Sequence, residues 1–152
     1  MKIKTILLSC IILAATLVQA ETLPSKGSIY FEVDGKKWIS FPDKSKCWTS
    51  AAVKTTLLQA QGANMQVSWQ IQNMNKVGEL LLVHTSNAEI KFILNNQVYL
   101  LKGKDAFMRI RITEIKQVYN VQLLSGTFEA RLHTEDGKSV HIRNGRFITN
   151  NV

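Results

Sequence analysis

Arg109 and Arg111 stand two apart in the run Phe107-Met108-Arg109-Ile110-Arg111-Ile112, and Arg131 and Arg143 flank a Glu135-Asp136-Gly137 turn. In an extended strand, side chains two apart share a face. If the two segments are neighbours, the four guanidiniums form one cationic exterior that Glu129 only partly neutralises. A guanidinium fork matches phosphate, sulfate or carboxylate. The chemistry offered is therefore non-covalent capture of an anion, with Tyr99 or Tyr119 as a stacking surface for a sugar or base. The competing reading is the ordinary charged exterior of a half-buried sheet, which also protects edges from aggregation.

Other chemistries find little to work with. The histidines are His84, His133 and His141. Across the last turn, His133 and His141 become diagonal neighbours, roughly 7–8 Å apart between backbones. With Glu129 or Glu135 they would make a sparse metal site, yet no close zinc-type spacing accompanies them, and a solvated sheet face explains them. There is no Gly-x-Ser-x-Gly elbow and no phosphate-cradling glycine loop opening a helix. Ser125-Gly126 lies inside an alternating strand, where a small residue relieves packing. No carboxylate pair stands out, no catalytic residue is assigned, and no metal or cofactor is expected.

These side chains must be positioned by strands. Alternation recurs in Ile29, Phe31, Val33; in Met65, Val67, Trp69, Ile71; in Ile90, Phe92, Leu94; in Met108, Ile110, Ile112; and in Phe128, Ala130, Leu132. Turn chemistry then predicts registers. Asp34-Gly35 as a type I′ turn sets Phe31 opposite Trp38 and Glu32 opposite Lys37. Gly62-Ala63, with Gly62 at positive φ, sets Ala60 opposite Met65, Leu58 opposite Val67 and Thr56 opposite Trp69. Asn95-Asn96 sets Phe92 opposite Tyr99 and Ile90 opposite Leu101. A three-residue loop, Glu135-Asp136-Gly137, sets Leu132 opposite Val140, Ala130 opposite Ile142, Arg131 opposite His141 and Glu129 opposite Arg143. A bulge near Asn144-Gly145 is then needed to bring Phe147 inward. The expectation is all-β: an antiparallel meander of about nine or ten strands forming a two-sheet sandwich, with a flattened up-and-down barrel as the alternative.

The start of the chain bears on location. Lys2 and Lys4, an apolar run from Ile6 to Val18, and Ala20 read as a secretory leader over residues 1–20. The run is too short to span and stay in a membrane, so the mature chain is expected to have no transmembrane segment. Residues 21–28 form a short polar entry, and 29–152 form a single domain. The 152-residue chain carries 19 basic against 11 acidic residues; without Lys2 and Lys4 it is 17 against 11, or +6. Such a charge favours anionic surroundings and also simply aids solubility. Leu7-Leu8-Ser9-Cys10 resembles a lipoprotein signal. Cleavage there would leave Ile11, Ile12, Leu13, Leu17 and Val18 on an aqueous tether, so cleavage after Ala20 is the expectation. Cys47 then has no partner in its own chain. It is read as a buried small hydrophobe, the other reading being a free thiol for intermolecular pairing.

Three pieces of the chain carry a likeness. They are Val33-Asp34-Gly35-Lys36-Lys37-Trp38; Ile110-Arg111-Ile112-Thr113-Glu114-Ile115; and Leu124-Ser125-Gly126-Thr127-Phe128-Glu129-Ala130 followed by Asp136-Gly137-Lys138 and Val140 to Phe147. In this order they resemble a family of uncharacterised secreted or lipid-anchored β proteins common in Bacteroidota. The resemblance implies an all-β fold and an extracytoplasmic place, periplasmic, outer-envelope or secreted. It implies no activity and no functional residues.

The functional expectation is a non-catalytic binding or interaction protein. Its surface is Arg109, Arg111, Arg131 and Arg143, and its partner is an anionic glycan, a lipid headgroup or an envelope protein. One alternative is a barrel carrier of an apolar small molecule, in which Trp38, Trp69, Phe92 and Tyr99 line a cavity. Another is a small envelope hydrolase with no assigned active site.

Overall fold

The computed structural model describes residues 28–44, 46–50, 54–119 and 121–149. The leader, Cys10 and residues 21–27 lie outside these, and Cys47 is described only by its backbone register opposite Leu58.

Turns set most of the strand order. Asp34 and Gly35 both take positive φ and close β1 (Ser28–Val33) onto β2 (Lys36–Ile39), with Phe31 opposite Trp38 as expected. A 3-10 turn at Pro42–Lys44 leads to β3 (Lys46–Ser50), which pairs with β4 (Thr55–Gly62). β5 (Met65–Gln72) follows, then β6 (Gly78–Val83) and β7 (Ala88–Leu94). Asn95 and Asn96, at φ 49° and 65°, fold β7 onto β8 (Gln97–Leu100), with Phe92 opposite Tyr99. The expected Ile90–Leu101 pair does not form, because β8 ends at Leu100. β9 (Phe107–Val118), β10 (Val121–His133) and β11 (Ser139–Ile148) complete eleven strands among the described residues.

The last hairpin follows the expected three-residue loop. Leu132 faces Val140, Ala130 faces Ile142 and Arg131 faces His141, while Gly137 sits at φ 85°. Thr134 receives the Lys138 and Gly137 amides at the neck of the loop. The bulge falls at Asn144, φ 51°, and returns Phe147 to the core at 1 % exposure. It also corrects one pair. Phe128 opposes Gly145 and Ala130 opposes Ile142, so no single partner stands opposite Glu129 on β11.

The β4–β5 register departs from expectation by two residues. Gly62 pairs with Met65, Ala60 with Val67 and Leu58 with Trp69, so the turn is Ala63-Asn64. Asn64 takes the positive φ, at 54°, in place of Gly62. Gly62 serves a different need: a Cβ there would lie 2.4 Å from the Ile39 carbonyl oxygen, where Ser40 bridges to Gly62. Parity survives the shift, so the buried face is the expected one.

The strands join in a single sheet in the order β2-β1-β11-β10-β3-β4-β5-β7-β8, with β9 on the other flank of β10 and β6 beyond β9. All pairings are antiparallel. β10 closes the structure. Val121 at its start pairs with Ser50 of β3, and His133 at its end pairs with Leu100 of β8. The result is a nearly closed, barrel-like sheet, which matches the alternative more than two separate sheets. The meander is also interrupted. β5 pairs directly with β7, while β6 crosses to β9, where Leu80 opposes Ile110 and Leu82 opposes Met108. First and last strands pair as well, Ser28 with Ile148.

Aromatic rings fill the space between the layers. Phe128 meets Trp69 edge-on at 5.4 Å between centroids, and lies 6.2 Å from both Phe31 and Phe92. Phe31 meets Phe92 edge-on and stacks on Trp38, and Trp69 meets Phe147 edge-on. Each such pair adds about 0.5–1.5 kcal/mol beyond its burial. Trp38, Trp69 and Phe92 are thus packed ring against ring, and Tyr99 leans on the same cluster.

Candidate anion-binding face

The outward residues of β9, β10 and β11 form one continuous surface, because these strands are hydrogen-bonded neighbours. Arg109 and Arg111 project from β9, Arg131 from β10 and Arg143 from β11. The structure therefore brings the four arginines to one face, as alternation requires.

Their electrostatic states differ. Arg109 lies between two carboxylates, with Nε 3.3 Å from Glu79 and Nη1 3.4 Å from Glu129. Arg131 approaches Asp105 at 3.7 Å. Arg143 donates from Nε to His141 Nδ1 at 3.1 Å. Arg111 has no ion pair among the described residues, although Glu79 stands opposite it in the ladder. Glu79 comes from β6 and Asp105 from the loop before β9, and neither pairing has a local sequence signal. Exposed pairs of this kind contribute about 0–1 kcal/mol each. They compete weakly with a ligand that offers two oxygens to one guanidinium.

A hollow of about 340 Å³ opens on this face, lined by Arg109, Arg111 and Arg146, by the carboxylates of Glu79 and Glu129, and by Thr127, Phe128, Asn144 and Gly145; Arg131 and Arg143 share the face but do not line it. Its shape follows from the bulge. The Asn144 amide donates to Glu32 at 2.9 Å, and Tyr30 donates to the other oxygen of the same carboxylate at 2.5 Å. Gly145 lets the chain pass over the Phe128 ring, since a Cβ there would lie 2.6 Å from it. Bulges often re-aim side chains next to sites. Arg146 and Asn144 had no place in the sequence-based surface; the signal that points to them is the bulge, which was expected. Neither tyrosine joins. Tyr99 packs against the core from β8, and Tyr119, 94 % exposed, sits about 25 Å beyond Arg111 along the strand direction, at ~3.3 Å per residue.

Two titratable groups beside the bulge, Glu32 and His141, line a neighbouring hollow with Arg143 and Asn144. Hydrogen bonds from Tyr30 and then Asn144 hold the Glu32 carboxyl below the usual carboxylate range. Burial, and then the charge of Arg143, push the His141 imidazole below its usual value. Since Nδ1 accepts from Arg143, the neutral ring carries its proton on Nε2, a buried atom without a hydrogen-bond partner among the described residues. His133 keeps its diagonal place but turns Nε2 to within 3.0 Å of Asp105, close enough for an ion pair when protonated, though not aligned as a hydrogen bond. His84 lies in the turn after β6. Among the described residues no three His, Cys, Asp or Glu side chains gather to hold a metal.

The depressed His141 value has a signed consequence. Above the usual pKa of about 6.5 the ring is neutral in folded and unfolded chains alike. As pH falls through that value, the unfolded chain takes up a proton that the folded one resists, so stability declines. The urea midpoint is expected to fall between about pH 7 and pH 5, and His141→Gln should flatten that part of the profile. An unchanged slope in the variant would mean His141 is not its source. Loss of the Glu32 and Asp136 contributions comes only at lower pH, because both carboxyls are held below their usual range.

Fold and face together define an all-β domain with an arginine-bearing exterior built on β9, β10 and β11. No family model, curated protein or solved structure matches the chain. No helix among the described residues is long and apolar enough to cross a membrane.

Proposed function

We propose that this protein is a non-catalytic binding module of the bacterial envelope or exterior, which captures an anionic group of an envelope component through its arginine face. The observation that carries the reading is the hollow where Arg109, Arg111 and Arg146 converge beside the hydroxyl of Thr127, three guanidiniums against the two carboxylates, Glu79 and Glu129, of the same lining. Arg111, free of ion pairs among the described residues, leads the contact, and Arg109 contributes by exchanging a carboxylate for the ligand. Such a site suits phosphate or sulfate oxygens, which accept several charge-assisted hydrogen bonds at once. The extracytoplasmic setting rests on the leader reading of residues 1–20. The carrier alternative loses its lining, because Trp38, Trp69 and Phe92 are packed against other rings.

The test measures binding of the full chain to a sulfated glycan such as heparin and to phosphatidylglycerol vesicles, in low and high salt. Binding should weaken steeply as salt rises. Arg111→Gln should cost about tenfold, the range of one charge-assisted contact, and Arg109→Gln less, because its carboxylates already hold it. The probe that responds tells glycan from lipid. No salt-sensitive binding to either, or binding indifferent to Arg111→Gln, would overturn the reading.

A further inference from the structure

The opposite wall of the barrel carries a second surface of different chemistry. β4, β5 and β7 pair along their lengths, so outward residues align in rows across three strands. Gln59 opposes Ser68, which opposes Lys91; Gln61 opposes Gln66, which opposes Ile93; Leu57 opposes Gln70, which opposes Glu89. Two hollows open on this wall, of about 370 and 570 Å³, and they share Gln59, Ser68 and Lys91. A smaller one of about 110 Å³ adjoins the first through Gln61, Gln66 and Ile93. Shared walls make them one trough crossing the three strands, from Leu100 to the Asn95-Asn96 turn.

We propose that this trough binds a neutral, polyhydroxylated glycan chain. Gln59, Gln61, Gln66 and Gln70 are exposed and make no side-chain hydrogen bond among the described residues. Each amide presents a donor and an acceptor together, and the Ser68 hydroxyl does the same. A row of such groups complements the vicinal hydroxyls of a sugar, which donate and accept in turn. Lys91 and Glu89 end two of the rows on β7, and Lys44 and Lys102 border the trough, while its β4 and β5 positions carry the four glutamine amides, Ser68 and Leu57. A neutral chain loses no favourable ion pair there. A protein partner fits less well, because the one ring at the trough, Trp69, is 1 % exposed, Val67 and Ile90 are buried, and no exposed aromatic or Arg anchor of the kind that dominates protein interfaces stands among its described residues. With Trp69 buried, no ring among the described residues offers a stacking platform, and the expected affinity is modest, about 10⁻⁴ M.

The inference does not rest on the arginine face, and its test keeps the two apart. Neutral cello-, xylo-, manno- and chito-oligosaccharides are titrated into the isotope-labelled full chain and followed by NMR. At least one series should shift the side-chain amide signals of these glutamines. Binding should survive about 0.5 M NaCl, and Arg111→Gln should leave it unchanged. The triple variant Gln59→Ala, Gln66→Ala, Gln70→Ala should weaken it about tenfold, as three neutral contacts would. Its thermal midpoint should be unaltered, since the positions are exposed. Three outcomes overturn the proposal: no series shifts those amides, the triple variant binds with undiminished affinity, or binding collapses with salt. The last would assign the trough to an anionic ligand held by its wall lysines.

Discussion

Phe128→Ala is expected to cost about 3–5 kcal/mol, the range for emptying a large aromatic site. Against a domain's total of roughly 5–15 kcal/mol, that takes the chain close to unfolding. Phe128 sits at the meeting point of the aromatic cluster, within 5.4 to 6.2 Å of the Trp69, Phe31 and Phe92 rings. Those rings come from β5, β1 and β7, so its loss loosens both walls of the barrel at once. Its ring also packs against the Gly145 backbone, and both residues line the hollow. Denaturant unfolding should show a lower midpoint at an unchanged slope, and Phe128→Leu should recover part of the loss. A cost below about 1 kcal/mol would mean that neighbouring rings collapse into the vacancy, contrary to the tightly packed interior inferred here.

Gly126→Ala is the second large effect, and its cause is overlap. A Cβ at Gly126 would lie 2.3 Å from the Arg111 carbonyl oxygen and 2.9 Å from the Phe147 ring. The ring can rotate, but the carbonyl belongs to the β9 backbone and cannot retreat without disturbing the ladder. The register between β9 and β10 already shifts there, from Leu124 opposite Ile115 to Glu129 opposite Arg109. Overpacking commonly costs about 1–3 kcal/mol, and backbone overlap places this site at the upper end. Because the displaced strand carries Arg111, the substitution should also weaken binding to heparin beyond what the stability loss explains. A stable variant with full affinity would refute the rigidity of this crossing.

Local turn chemistry made several hairpins readable in advance. Asp34-Gly35, Asn95-Asn96 and Glu135-Asp136-Gly137 each have residues suited to the φ values their turns require, and the Asn144 bulge followed from the phase of Phe147. The β4–β5 turn misled because Gly62 looked like the positive-φ residue, whereas it is demanded by the passing Ile39 carbonyl. That reason is non-local, and so are the contacts that make a barrel: β6 with β9, β1 with β11, and β10 with both β3 and β8. No adjacent residue announces them. The arginine face was legible for the same reason as the strands, since alternation puts Arg109 and Arg111 outward. Its partial neutralisation by Glu79 and Asp105 was not, because those carboxylates arrive from elsewhere in the chain. The glutamine rows became visible only once three strands were laid side by side.

The ladder between Ser28 and Ile148 has a kinetic consequence. Synthesis delivers β1 well before β11, so the cylinder cannot seal until every strand between them has emerged. Contacts this distant in sequence slow folding and leave unpaired edges open in the meantime. A chaperone that shields those edges during delivery would therefore act on a ribbon still waiting for its final strand.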